Sequence, residues 1–337
     1  MAGLVPAIHA AVIARRITWM AGTSPAMTMK ERTDHLSSKT QNRPTALRNS
    51  ALVFAAAGVA MLVWGSTPLV TRLAVLEIEP VAVGMLRTVL ASLIAVPLAL
   101  LLRLPRPRGG REWLLLLVSA LGGFVLFPVL FSAGVRETSA SHAALILAVS
   151  PLVTGVIAAA SERRMPRHAW WLGAGLAILG EIALIAFRAG APGGEASLAG
   201  DLLVVVACIS SAAGYVAGAR LAASITTWAT TFWGIGIGGL ILLPLVPLRL
   251  GPSAWAGAGL LGWGAVAYLS LGSTILGYIC WYWALQRGGI ARIGAVQFSQ
   301  PVIALILAAA VLGEPLTLPL VLAALLVVAG VALAQRR

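Results

Sequence analysis

Few side chains in the apolar stretches of this chain could do chemistry, and their types and spacing narrow what that chemistry is. Arg87 stands in "MLRTVLASLIAVPLALLL", away from the ends of an apolar run. A charge at the bilayer centre costs roughly 2.5–3.5 kcal/mol on insertion scales, so Arg87 is expected to face other protein segments or to snorkel to the interface. Facing inward, it would anchor a substrate carboxylate or close a gate salt bridge. Gln297 and Gln300 are three residues apart, on one helix face, where amides in lipid surroundings need another helix or a ligand as partner. Tyr278 and Trp281 share a face by the same spacing. With Trp64 in "WGST" and Tyr215 they offer aromatic surface with polar tips, which suits either an amphipathic ligand or an interfacial belt. Trp64, Arg87, Tyr215, Tyr278, Trp281, Gln297 and Gln300 are therefore the candidate substrate-binding residues.

Glu181, in "LAILGEIALIA", is a carboxyl deep in an apolar run. It would couple protons, meet a second copy of the chain in a homodimer, or sit neutral and hydrogen-bonded to a neighbour. Ser210 and Ser211 read as ordinary helix contacts. Asp201 and His142 lie near run ends and read as interfacial. Glu162 and Glu314 close their runs and are expected to bond a helix terminus or a gate.

Several chemistries lack their residues. There is no G-x-x-x-x-G-K-[ST] phosphate loop and no lysine after Lys39, so ATP-driven pumping by this chain is not expected. The four histidines, His9, His35, His142 and His168, are scattered and form no H-E-x-x-H. Asp201 is the one aspartate after Asp34. Cys208 and Cys280 have no partners at metal-ligand spacing and read as small buried hydrophobes. No catalytic residue, metal or cofactor is expected. A membrane-embedded enzyme is disfavoured on that ground, and a channel or scaffold subunit has no filter-like motif or large soluble domain to support it.

The elements that position these residues follow from composition. Of 337 residues, 59% are hydrophobic and 10% charged, against roughly 25% charged in soluble domains. Such a chain cannot cover itself with polar surface, and the lipid bilayer is its expected surrounding. A span needs about 20 apolar residues. Ten runs fit, at roughly 51–71, 80–102, 113–134, 140–160, 169–188, 199–219, 227–248, 260–283, 291–312 and 317–334. With the N-terminus inside, the inner segments carry twelve arginines (103, 106, 108, 111, 163, 164, 167, 220, 287, 292, 336, 337) and the outer loops four (72, 136, 188, 249). That bias obeys the positive-inside rule and puts both termini in the cytoplasm of a bacterial cell, with the bundle in the inner membrane. It also explains the net charge of +13 without nucleic acid as a partner. Residues 1–50 lie outside the bundle and are expected to form a disordered cytoplasmic tail, in part a mis-assigned start, with the true start at Met27 or Met29.

The bundle repeats itself. Displaced by 150 residues without gaps, Trp113 meets Trp263, Leu121-Gly122 meets Leu271-Gly272, Leu126 meets Leu276, Pro151 meets Pro301 and Gly180 meets Gly330. The first two spans of each half match poorly. Two copies of five spans must have opposite orientations, because five is odd. Inverted repeats of this kind are a signature of secondary transporters, with the substrate site near the midplane between them. Pro151 and Pro301 would then be hinge or gating points at matching depth, or static kinks that packing requires.

The ordered set "WGSTPLVTRLA", "MLRTVLASLIAVPLALLL", "GVRETSASHAALILAVSPLVTGVIAAASE" and "YWALQRGGIARIGAVQFSQPVIALILAAAVLGEPLT" resembles the ten-span EamA family of the drug/metabolite transporter superfamily. The resemblance covers about residues 51–334, as a first repeat at 51–188 and a second at 199–334. It implies an all-α integral membrane protein of two inverted five-helix repeats that exports or exchanges small metabolites through a cavity between them. The expected function is alternating-access transport of an amino-acid-like solute, with Arg87 holding its carboxylate. The alternative is efflux of cationic drugs by proton antiport, which needs an acid in the cavity, and Glu181 is the one candidate for it.

Overall fold

All ten apolar runs carry helix in the computed structural model. It describes residues 43–334 apart from 163–166, 188–196, 250, 252–256, 289–292 and 294, and omits the side chains of 43–50, 161, 162, 181, 184–187, 249, 295 and 298. The expected tail, apart from residues 43–50, lies outside the described residues. Seven helices are long and apolar enough to cross a membrane: Ala51–Glu77, Pro80–Leu101, Gly110–Glu137, Ala140–Ala160, Leu198–Ala222, Thr227–Leu248 and Leu260–Gly288. They are spans one to four and six to eight. Span five is His168–Phe187, and spans nine and ten, Ser299–Leu312 and Leu318–Ala334, are shorter. No strand occurs among the described residues. This follows from the solvent, because a lipid-exposed backbone can satisfy its polar groups internally as helix but not as open sheet.

Three spans are broken, each beside a proline. Span one divides at Ser66 between Arg43–Gly65 and Thr67–Glu77. Span four divides at Val149 between Ala140–Ala148 and Ser150–Glu162. In span nine Ile293 is helical, and a 3-10 turn at Ala295–Phe298 precedes the α-helix Ser299–Leu312. Pro68, Pro151 and Pro301 thus fall in the first turn of a new helix, where the missing N–H costs nothing. These three prolines restart their helices, whereas Pro97 lies inside the helix Pro80–Leu101.

Two spans widen locally into π-helix, at Leu121–Leu126 and Tyr268–Leu276. The bond that closes the first runs from the Phe127 N–H to the Gly122 carbonyl, and the second from Gly277 to Gly272. Each partner has moved by 150 residues (127 to 277, 122 to 272), the displacement that relates the two halves in sequence. The repeat therefore extends to an unusual backbone hydrogen bond.

Spans five and ten make the inversion visible. A Cβ on Gly173 would lie 2.4 Å from the Ala334 nitrogen, one on Gly330 2.5 Å from the Ala177 nitrogen, and one on Gly180 2.9 Å from the Ala323 carbonyl oxygen. Contacts descend along one helix as they ascend the other, so these repeat mates are antiparallel. The same displacement carries Gly173 to Ala323 and Gly180 to Gly330, so the Gly173–Gly330 approach and the Gly180–Ala323 approach exchange with each other, as a two-fold axis requires. Between lipid tails there is no hydrophobic gain in bringing helices together, so close backbone approach at small residues supplies the attraction.

Acidic side chains tie the span ends. The Glu79 carboxylate accepts from Ala82 N–H at 2.7 Å, and Glu77 accepts from Gly259 N–H at 3.0 Å and Gly262 N–H at 2.8 Å. Glu314 accepts from the N–H groups of Ala140 at 2.8 Å and Ser141 at 2.9 Å, and from the Ser141 hydroxyl. These contacts satisfy orphan donors at helix N-termini and place negative charge where the helix dipole favours it. The side chain of Glu162 lies outside the described residues. His142 and Asp201, expected to be interfacial, lie near the starts of their helices and are buried against other segments, at 7% and 0% exposure. Thr138 donates to Asp201 Oδ1 at 2.6 Å, and His142 Nδ1 stands 3.5 Å from the same oxygen. This polar cluster joins the ends of spans three, four and six.

Candidate functional site

Arg87 enters the bundle from the first half of span two, whose apolar flanks leave its charge no route to water along the helix. It is 8% exposed. Its Nε donates to Thr274 Oγ1 at 3.1 Å and its Nη2 to Ser273 Oγ at 3.0 Å, and its guanidinium lies over the Phe127 ring at 5.9 Å. The snorkelling alternative is therefore replaced by an inward anchor. Its two hydroxyl partners come from the π-helical stretch of span eight, where Thr274 donates to the carbonyl five residues back, Leu269, at 2.9 Å. The wider π turn presents consecutive residues 273 and 274 to one guanidinium, which a 3.6-residue period would not do. Ser273 also meets the Thr67 hydroxyl at 2.9 Å and accepts at its carbonyl from Trp64 Nε1 at 3.0 Å. Span one is broken beside these two residues, and both lock onto span eight there.

Arg87 borders a cavity of about 440 Å³ lined by spans one to four, six and eight to ten. Every predicted binding residue lines it: Trp64, Arg87, Tyr215, Tyr278, Trp281, Gln297 and Gln300. Pro151 and Pro301 line it too, because the breaks of spans four and nine face it. Gln297 stands on the 3-10 turn and Gln300 on the α-helix that follows. Trp64 packs edge-on to Tyr278 at 5.3 Å and tilts on Trp281 at 5.7 Å, which sets these rings as one aromatic wall. Tyr215 is 55% exposed, toward open space inside the bundle. The Glu181 side chain lies outside the described residues. Among the described residues Arg87 is the one charged side chain in the lining.

Sequence reasoning missed Ser273, Thr274, Thr67, Phe127 and Tyr282. Thr274 precedes Tyr278 by four residues and Trp281 by seven, so helical spacing alone puts it on the same face. Ser273 joins that face only through the π turn, for which the residue types carry no signal. Ser211 lines the cavity, although it reads as an ordinary helix contact. Ser210 is such a contact, donating to the Ala207 carbonyl at 2.9 Å.

Two inverted helical repeats around a midplane cavity with broken helices in its wall define a membrane transporter. The model of the EamA-like transporter family matches residues 51–186 and again 198–335, and the chain belongs to that family. It is 31% identical over 274 residues to the "Uncharacterized transporter YdeK" of Bacillus subtilis (strain 168), covering 81% of this chain and 92% of that one. It is 30% identical over 234 residues to the "Probable terminal-alkyne amino-acid exporter" of Streptantibioticus cattleyicolor, covering 69% and 76%. A solved crystal structure shares the fold with a TM-score of 0.59 at 22% identity, covering 84% of this chain and 96% of that one.

Proposed function

We propose that this protein is a secondary transporter, and not an enzyme, that carries amino-acid-like solutes across the bacterial inner membrane by alternating access. It would export or exchange them, with both termini in the cytoplasm. The observation that carries this reading is the isolation of Arg87. A buried guanidinium whose hydrogen-bond partners are neutral hydroxyls, at the edge of a cavity with no carboxylate among its described lining residues, has donors in a fork that matches an arriving carboxylate. The aromatic wall of Trp64, Tyr278 and Trp281 gives an ammonium group the faces of π systems, and Gln297 and Gln300 offer carbonyl oxygens to it. The exporter from Streptantibioticus cattleyicolor supports the same solute class. A cationic drug would meet the Arg87 charge with no compensating acid among the described lining residues; Glu181, the acid that the drug-efflux alternative needs, has its side chain outside them.

In this reading the breaks at Ser66, Val149 and Ala295–Phe298 let half-helices shift against each other while the antiparallel pair of spans five and ten stays packed. The test is uptake of radiolabelled L-amino acids into liposomes holding the purified protein, with and without a proton gradient. Saturable flux lost with Arg87→Ala is the expected result. Flux of cationic drugs with none of amino acids would overturn it.

A further inference from the structure

A second cavity, of about 350 Å³, abuts the first. Ser211, Tyr215, Tyr278 and Tyr282 line both, so these residues are the wall between them. The second cavity extends along spans three, six, seven and eight toward Ala222, Thr227 and Gln286. Its polar lining is hydroxyl and amide, from Ser119, Thr227, Thr230, Thr231 and Gln286, with no charged side chain among the described residues.

The three tyrosines of the wall are held very differently. Tyr282 is 9% exposed, accepts from the Thr231 hydroxyl at 3.3 Å and packs edge-on to Trp228 at 6.0 Å. Tyr278 stacks on Tyr282 at 5.7 Å and meets Trp64 and Phe124 edge-on at 5.3 and 6.0 Å. Tyr215 has no hydrogen bond or ring contact among the described residues, and is the most exposed of the three. The backbone beneath it cannot yield. A Cβ on Gly214 would lie 2.6 Å from the Gly123 nitrogen, and one on Gly122 2.4 Å from the Ser210 carbonyl oxygen. Span six is thus pressed onto the π turn of span three at the level of Tyr215. What can move there is the tyrosine side chain, by rotation about its own bonds.

We propose that the hydroxyl-lined cavity is a second station for the transported solute, and that Tyr215 is the movable leaf between it and the Arg87 cavity, with Tyr278 and Tyr282 as the fixed post. The station takes a solute of zero net charge, such as a zwitterion that brings its own counter-charge, because its lining has none to offer. This rests on the transport reading above, but the partition can be tested without any substrate.

The experiment uses the full chain carrying Cys208→Ala and Cys280→Ala, which removes both native thiols. Ala219→Cys then reports on the second cavity and Ser150→Cys on the first. Membrane vesicles of either orientation are treated with the small impermeant reagent 2-sulfonatoethyl methanethiosulfonate. From the face that labels Ala219→Cys readily, Ser150→Cys is expected to react at least tenfold more slowly. Adding Tyr215→Ala should abolish that difference, while Tyr215→Phe should leave it unchanged, since the hydroxyl bonds nothing. Thermal melting of each variant in detergent checks folding, and Tyr215→Leu serves as second opener if Tyr215→Ala melts early. Equal labelling of the two sites before Tyr215 is altered, or a difference that persists in a folded opener variant, would overturn the proposal. Loss of the carboxylate reading would show as absent amino-acid flux in liposomes, with the labelling pattern intact.

Discussion

The Arg87 guanidinium of span two donates to the Ser273 hydroxyl of span eight at 3.0 Å, so the charge in the cavity wall is held by a neutral partner from the other repeat. A hydrogen bond to a charged group contributes about 1.5–3 kcal/mol, and each 1.4 kcal/mol is about tenfold in binding. Arg87→Lys, which keeps charge but loses the fork, should raise the amino-acid KM about tenfold, and Arg87→Ala should lower kcat/KM about 100-fold. Ser273→Ala frees the guanidinium without removing it and should shift KM by less than either. Initial-rate uptake in liposomes reads all three.

Trp64 serves both as a ring in the aromatic wall and as a donor to the Ser273 carbonyl. Trp64→Phe keeps ring area and removes the donor, leaving one carbonyl short of a partner. A loss of about 1 kcal/mol of stability is expected, read as a lower melting temperature in detergent. Because Ser273 also holds Arg87, the same variant should raise the solute KM.

Spans five and ten approach so closely that no side chain fits at Gly173 or Gly330. Gly330→Val should therefore separate them and destabilise the bundle by about 1–3 kcal/mol, as overpacking does. Gly175, where a Cβ meets nothing within 4 Å, is the control, and Gly175→Ala should be neutral or slightly stabilising. Chemical denaturation in mixed micelles distinguishes them.

Glu314 caps span four from the far end of the second repeat. Glu314→Ala leaves two N–H groups and one hydroxyl without their acceptor, and a loss of about 0.5–2 kcal/mol is expected. Glu314→Gln keeps an acceptor and should recover part of it. If the cap also holds Ala140–Ala148 in place beside the cavity, transport by Glu314→Ala should fall more than its stability loss explains, checked by flux per folded molecule.

What was legible from the sequence is what a hydrophobic solvent imposes locally. Apolar run length shows the number of spans, arginine placement sets an expected orientation, and the coincidence of Pro151 with Pro301 and Gly180 with Gly330 exposes the repeat. Polar residues in such runs are costly facing lipid, so inward placement of Arg87 and Gln300 could be read without coordinates. Three matters needed the tertiary structure. Where a helix breaks depends on which neighbours satisfy the freed backbone groups, so span nine passes through a 3-10 turn just before Ser299 and span one divides at Ser66, neither of which the run boundaries show. The π turn of span eight, which brings Ser273 and Thr274 together on Arg87, has no composition signal, since its stability comes from helices packed around it. The two adjoining cavities share a wall because Tyr215 and the stacked pair Tyr278 and Tyr282, from two distant segments, are brought to one place. Local sequence sets which faces avoid lipid; which residues meet across those faces is decided by packing between chain segments far apart in sequence.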